Sequence, residues 1–277
     1  MLEFIQLLNL RYQAIIANLK ENDPQITLFQ QRLEQLIFTE AFIRKGVLLE
    51  SSPETPLQIA IIGPTQAGKS SVANLVLNSK LAGVSPLAGY TVHPQGFCHQ
   101  VSLQKCFDLQ NYFGRFQQLK LSELSSERHD CYSLSEAEIE SDFLPPCVFW
   151  DTPDFDSIDS EDYREGVIRT IALADIVILV VSKEKYADQS VWEMMSTIES
   201  FHQTTLICVN KLTEGTEELI INSLQQKWLQ ARQDKFPHVI PLHFQKQTAA
   251  PVWPDSEIKR IFQLQKAVSK KKHFEYQ

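Results

Sequence analysis

The 277-residue sequence lacks any excess of positive charge. Its 26 lysines and arginines stand against 34 acidic residues, a formal net charge of −8. A phosphate backbone rewards basic surfaces, so broad nucleic-acid binding is not expected. The basic density that exists gathers near the end, at Lys266, Lys270, Lys271 and Lys272, and reads as a solvated tail. Long apolar runs are missing too. No stretch approaches the ~20 residues that a membrane span needs. The opening MLEFIQLLNLRYQ mixes charges among its apolar residues and carries no cleavage pattern of a secretory signal. The five cysteines, Cys98, Cys106, Cys131, Cys147 and Cys208, are odd in number and have no metal-type spacing. Cys147 and Cys208 lie inside apolar runs and read as buried thiols of a reducing compartment, so a cytoplasmic protein is expected. Internal repeats and low-complexity tracts are also lacking.

What is present suits one sizeable core with additions, or two small domains. Residues 1–50 read as a helical segment of two helices. Ile5, Leu8, Tyr12, Ile15 and Leu19 recur at helical spacing, and Asn22-Asp23-Pro24 supplies a stop, a cap and a proline at the next helix's first position. Phe29, Leu33, Leu36, Ile37 and Phe42 form a second stripe, expected to end near Gly46. After the proline-containing linker at 51–56, apolar runs at 58–62, 147–150, 175–181, 205–209 and 238–244 read as buried strands alternating with helices such as 188–202. Continuously apolar strands imply a sheet covered on both faces and mostly parallel. Phe107, Leu109, Tyr112, Phe113, Phe116 and Leu119 predict an inserted amphipathic helix, followed by an acidic, Ser-rich loop at 122–142. Residues 251–277 predict a final helix, with Ile258, Ile261, Phe262 and Val268 inward, and the basic tail.

GPTQAGKS, residues 63–70, fits G-x-x-x-x-G-K-[ST] between a strand and a helix, the context that a phosphate-binding loop requires. Gly63 and Gly68 let backbone N–H groups converge on phosphate oxygens, with Gln66 and Ala67 between them. Lys69 is then set against the β- and γ-phosphates, and the Ser70 hydroxyl against Mg²⁺. CVFWDTPDFDS, residues 147–157, ends a strand in Asp151, where a carboxylate can hold the same ion at the strands' carboxyl ends. The fold class expected is an α/β P-loop NTPase sandwich with a mostly parallel sheet, its nucleotide domain spanning 57–250 and flanked by N- and C-terminal helices.

With NKLT at 210–213 following GPTQAGKS and DTPD in order, residues 57 to about 245 resemble the translation-factor-related GTPases, in particular their Era-like and dynamin-like branches. The resemblance implies a Mg²⁺-dependent protein that binds GTP and GDP, with Lys69, Ser70 and Ser71 on phosphate and metal. It implies Thr91 as the first-switch threonine, binding Mg²⁺ and the γ-phosphate, and makes Lys69 and Thr91 the catalytic pair. Asp151 becomes the second-switch aspartate and a metal ligand with Ser70 and Thr91. Asn210 and Lys211 fall beside the guanine.

Several positions depart from the pattern. Asp154 stands where the family's Asp-x-x-Gly has the glycine that lends its N–H to the γ-phosphate. The resemblance makes Asp154 a nucleotide-binding residue through the N–H that remains, with a flip more restricted than glycine's, and its carboxylate repels phosphate unless it points away. Phe155 replaces the water-orienting Gln of Ras-like members, as in Era-like ones, and implies slow hydrolysis. Gln66 replaces the Asn of potassium-activated members. Thr213 replaces the carboxylate that accepts two bonds from guanine, a contact of about 1–3 kcal/mol or roughly 5- to 150-fold. Glu214 offers a carboxylate one place later. Three readings follow: a slow GTPase that switches a partner contact through its switches and inserted helix, a nucleotide-binding scaffold with little hydrolysis, and an ATP-preferring hydrolase. The seven acids in 151–165 predict a mobile, solvated second switch.

Overall fold

The run Leu57–Ile62 forms strand β1 and is buried from its second residue onward. Such a strand has no polar face. It sends Ile59 and Ile61 to one side and Ala60 and Ile62 to the other. The computed structural model describes residues 1–20, 23–77, 91–125, 127–137, 144–156, 161–200, 203–213, 215–233, 235–245 and 250–252. The further strands are β2 (Gln95–His99), β3 (Gln117–Leu119), β4 (Cys131–Glu136), β5 (Cys147–Asp151), β6 (Ile176–Ser182), β7 (Thr204–Leu212), β8 (His238–Gln245) and β9 (Ala250–Val252). They lie side by side in the order β3-β4-β2-β5-β1-β6-β7-β8-β9. Only β2 with β5 and β8 with β9 pair antiparallel; the other pairings are parallel. This is the α/β P-loop fold expected, with a wider sheet.

The helices are α1 (Leu2–Asn18), α2 (Gln25–Ser51), α3 (Lys69–Leu77), α4 (Leu109–Phe113), α5 (Glu161–Leu173), α6 (Gln189–Ser200) and α7 (Glu217–Ala231). Val72, Ala73, Val76 and Leu77 of α3 cover one face of the sheet. The other face carries α2, α4, α5, α6 and α7 around Phe38, Phe113, Ile171, Met195 and Trp228. The N-terminal hairpin therefore shares the main core.

Polar contacts fix that docking. The buried Lys45 ammonium donates to the Ala174 carbonyl (2.9 Å) and pairs with Asp175 (3.0 Å). Asp175 in turn accepts the Gln58 N–H at the entry to β1 (2.8 Å). Glu40 accepts from Asn9 of α1 (2.9 Å), pairs with Arg44 (2.8 Å) and faces Arg169 of α5 (3.5 Å). Burial alone would lift the Glu40 carboxyl; Arg169 and Arg44 outweigh it and hold it below its ordinary value.

Several expectations are corrected. The stripe at 107–119 is not one helix. It follows a 3₁₀ turn at Leu103–Cys106 and divides into the short α4 and the strand β3, because the chain turns at Gly114 with φ 64°. Phe107 is exposed. The acidic stretch at 122–142 contains β4, so it is not all loop. Helix α2 runs past Gly46 to Ser51, and it begins at Gln25, one position after Pro24, with Asp23 accepting the Gln25 N–H (2.9 Å). All five cysteines are free and buried. No helix among the described residues is long and apolar enough to cross a membrane. The expected final helix with Ile258, Ile261, Phe262 and Val268, the basic tail and Glu214 lie outside the described residues.

If the hairpin belongs to the core, Phe38→Ala should destabilise the fold by about 3–5 kcal/mol, as for a large buried side chain. Val47→Ala, on the exposed face of the same helix, should change it by no more than about 0.5 kcal/mol. Urea titration of both variants checks this; equal losses would show that the helix does not dock through Phe38.

Candidate functional site

The carboxyl ends of β1, β5, β6 and β7 lie together in the parallel part of the sheet, the edge at which such folds bind ligands. The chain leaves β1 at Gly63, pressed against the backbone of β6. A Cβ there would stand 2.3 Å from the Val180 carbonyl oxygen. At Gly68, φ is +90° and a Cβ would meet Asn210 Nδ2 at 2.4 Å. Both positions are thus glycine for steric reasons. Between them Gln66 takes φ 61°, and the Ala67 N–H closes a turn on the Pro64 carbonyl (3.1 Å). Lys69 opens α3, with Ser70 and Ser71 half-buried in its first turn.

Asp151 ends β5, wholly buried. The antiparallel pairing of Gln95 with Asp151 brings the start of β2, and with it Thr91, to the same place. The Ser70 hydroxyl donates to Asp151 Oδ2 (2.9 Å) and lies 3.3 Å from Thr91 Oγ1. Burial pushes the Asp151 carboxyl up to about 6, although Lys69 and hydrogen bonds from Ser70 and Thr91 pull it down. Its other oxygen, Oδ1, is buried without a hydrogen-bond partner among the described residues. An orphaned carboxylate oxygen beside two hydroxyls is a hard-oxygen set that fits Mg²⁺. Among the described residues no cluster of three His, Cys, Asp or Glu side chains exists to hold a metal unaided. An ion here would complete its shell with water and phosphate oxygens.

Lys69 is 5% exposed. Burial pushes its ammonium down to about 8, against the pull of Asp151 and Asp156. Its Nζ makes an ion pair with Asp154 Oδ1. The Asp154 carboxylate thus points into the cradle. Its backbone N–H is donated to the Tyr163 hydroxyl (2.9 Å). Two residues on, Asp156 Oδ1 accepts both the N–H (2.6 Å) and the hydroxyl (2.7 Å) of Thr65, and Lys185 approaches its other oxygen at 3.9 Å. The solvated second switch expected from the acids is not what residues 151–156 form: Asp151 to Phe155 are buried. Residues 157–160 lie outside the described residues.

At the end of β7, Asn210 Nδ2 donates to the Ala67 carbonyl (3.0 Å), and its Oδ1 accepts the Lys211 N–H (2.8 Å). Lys211, at φ 59°, reaches back to the Gln66 carbonyl through Nζ (2.6 Å). Both therefore join the phosphate loop. Thr213 does not. It is exposed, its hydroxyl lies 3.3 Å from that of Thr216, and the Thr216 hydroxyl donates to the Thr213 carbonyl (2.7 Å).

Residues 58–211 match the family model described as 50S ribosome-binding GTPase. The chain belongs to this GTPase family. Solved structures similar to it include Era from Aquifex aeolicus bound to GDP·AlF4⁻, at 15% identity and TM-score 0.43, covering 75% of this chain and 55% of that one. Another is Era with MgGDPNP and nucleotides 1506–1542 of 16S ribosomal RNA, at 14% identity and TM-score 0.46, covering 76% and 56%. An oligomerised bacterial dynamin pair, described as long-range sensing and tethering of membranes, gives 16% identity and TM-score 0.48, covering 84% and 52%. The chain spans little more than half the length of these proteins. No curated protein matches it.

Within this site, sequence reasoning missed Thr65, Asp156, Tyr163 and Lys185. Asp156 was in view, two places beyond Asp154, but its partner Thr65 is 91 residues away along the chain. Gly68→Ala should destabilise the protein by well over about 1 kcal/mol, since left-handed strain and a collision with Asn210 act together. Gly215→Ala, at φ +81° but with nothing within 4 Å of the new Cβ, should cost only the strain. Thermal unfolding compares them, and equal losses would remove the Asn210 collision from the account.

Proposed function

We propose that this chain is a Mg²⁺-dependent guanine-nucleotide switch that hydrolyses GTP slowly. The observation carrying this is the coincidence, at one sheet edge, of a glycine-shaped loop, a buried Lys69 and an orphaned Asp151 oxygen. Family membership supports a nucleotide as the anion. Lys69 faces the β- and γ-phosphates, with the backbone of Gly63 to Ser71 around them. Ser70, Thr91 and Asp151 hold Mg²⁺, which when bound neutralises phosphate charge. Lys69 and Thr91 act on the terminal phosphate, and Asn210 and Lys211 fix the loop on the guanine side.

Phe155 carries no group that can orient a water molecule, and this supports a low unaided rate. It lines a cavity of about 450 Å³ together with Phe38, Tyr163, Arg164 and Met194. A change at the second switch therefore reaches the N-terminal hairpin, the route by which a protein partner would sense the nucleotide. The net charge of −8 gives no support to a broad RNA-binding surface, whatever the family's name suggests.

Lys69→Ala should abolish binding of labelled GTP and GDP while circular dichroism shows an intact fold; unchanged affinity would falsify the phosphate-loop reading. Asp151→Asn should weaken binding in Mg²⁺ far more than in EDTA, and equal losses would make Asp151 merely structural. Thr213→Asp should raise the ratio of GTP to ATP affinity about tenfold or more, as two acceptor contacts are restored. An unchanged ratio in equilibrium titrations would mean that the base is read elsewhere.

A further inference from the structure

The second switch does not stand aside from the phosphate loop. Asp154 places a carboxylate on Lys69, the loop's own ammonium. Asp156 accepts two hydrogen bonds from Thr65 within the loop. Tyr163, buried on α5, holds the Asp154 backbone from behind through its N–H. Each contact is made by a different group, and together they fix residues 154–156 across the mouth of the cradle.

We infer that Asp154 is a built-in anionic cap, occupying the place of the terminal phosphate on Lys69 and biasing the site toward nucleoside diphosphate over triphosphate. This rests on the nucleotide-binding reading above. A diphosphate lacks the group that competes with Asp154 and can enter beside it. A triphosphate brings a second anion to the same ammonium, and two like charges within a few ångströms repel strongly where water is excluded. Triphosphate binding must therefore expel the Asp154 side chain and draw its N–H away from Tyr163. The neighbour Phe155 would then be carried with it, so displacement of the cap is itself the switching event. A glycine at 154, with no side chain, would have neither the cap nor this penalty.

The test uses the full chain with Asp154→Asn, which keeps shape and removes charge, and Asp154→Ala, which removes both. Fluorescent GDP and a fluorescent non-hydrolysable GTP analogue are titrated in Mg²⁺, and thermal unfolding is followed without nucleotide. The wild type should favour the diphosphate. Both variants should gain about tenfold or more in affinity for the triphosphate analogue relative to the diphosphate. Without nucleotide, Asp154→Ala should lower Tm by about 4 °C or more, because Lys69 is left buried without this partner. An unchanged triphosphate-to-diphosphate ratio in both variants overturns the inference. So does an unaltered nucleotide-free Tm in Asp154→Ala, whatever the titrations give. Wild type and variants that bind neither nucleotide would refute the GTPase reading and the diphosphate bias together. A Tm loss in that case would uphold only the Lys69–Asp154 contact.

Discussion

A buried ammonium organises the mouth of this sheet. Lys69 is held at the start of α3, where the loop from β1 turns in, almost wholly out of water. A cation in such a place is costly unless anions surround it. Asp151 at the end of β5, Asp154 on Nζ itself and Asp156 at Thr65 supply them. The same demand that lets a phosphate bind here draws the second switch inward. If a nucleotide binds here as proposed, carboxylate and phosphate would be alternatives for one charge, and the conformation of residues 151–156 would be tied to which is present.

The base of the molecule contrasts with its mouth. Lys45 of α2 meets both the Ala174 carbonyl and Asp175, and Asp175 holds the Gln58 N–H where β1 begins. One buried junction thereby joins the N-terminal hairpin, the turn between α5 and β6, and the central strand. At the opposite end, the hairpin meets the switch through the cavity that Phe38 and Phe155 share and through the exposed pair of Arg164 with Glu34 (2.7 Å). An exposed ion pair contributes little stability, so it can be remade cheaply. The hairpin is thus anchored at the amino ends of the strands and adjustable at the carboxyl ends, where a nucleotide would act.

The parts of this arrangement that sequence made legible are those with local signatures. Uninterrupted apolar runs marked β1, β5, β6 and β7, because strands buried on both faces cannot alternate. Strand β8 was marked by its run too, although it buries only Ile240 and Leu242 of residues 238–243 and alternates with half-buried positions. The glycines of 63–70 marked the loop. Strands β2, β3 and β4 were hidden because QGFCH, QQL and CYSLSE are short and partly polar. The aromatic spacing at 107–119 imitated a helix, since Leu109, Tyr112, Phe113 and Phe116 all enter the core, though only the first three stand on α4 and Phe116 lies beyond Gly114, in the turn before β3. Nothing local could announce that Asp154 points inward or that Asp156 reaches Thr65. Those contacts exist only after the strands have assembled.

The same distinction explains which half of NKLT kept the family pattern. Asn210 and Lys211 each have a duty apart from any base. Their side chains bond the carbonyls of Ala67 and Gln66 and so hold the phosphate loop against β7. Replacing either would leave a loop carbonyl without its partner, at a cost of about 1–3 kcal/mol where the group is buried. Among the described residues, the side-chain hydrogen bonds of Thr213 and those to its carbonyl go to Thr216, at the turn into α7, and not to that loop. A residue whose sole use is to read the base can change without loosening the cradle. On the proposed reading, phosphate binding and base selection are therefore separable in this fold: the residues proposed for the first fit the resemblance, and the one proposed for the second departs from it.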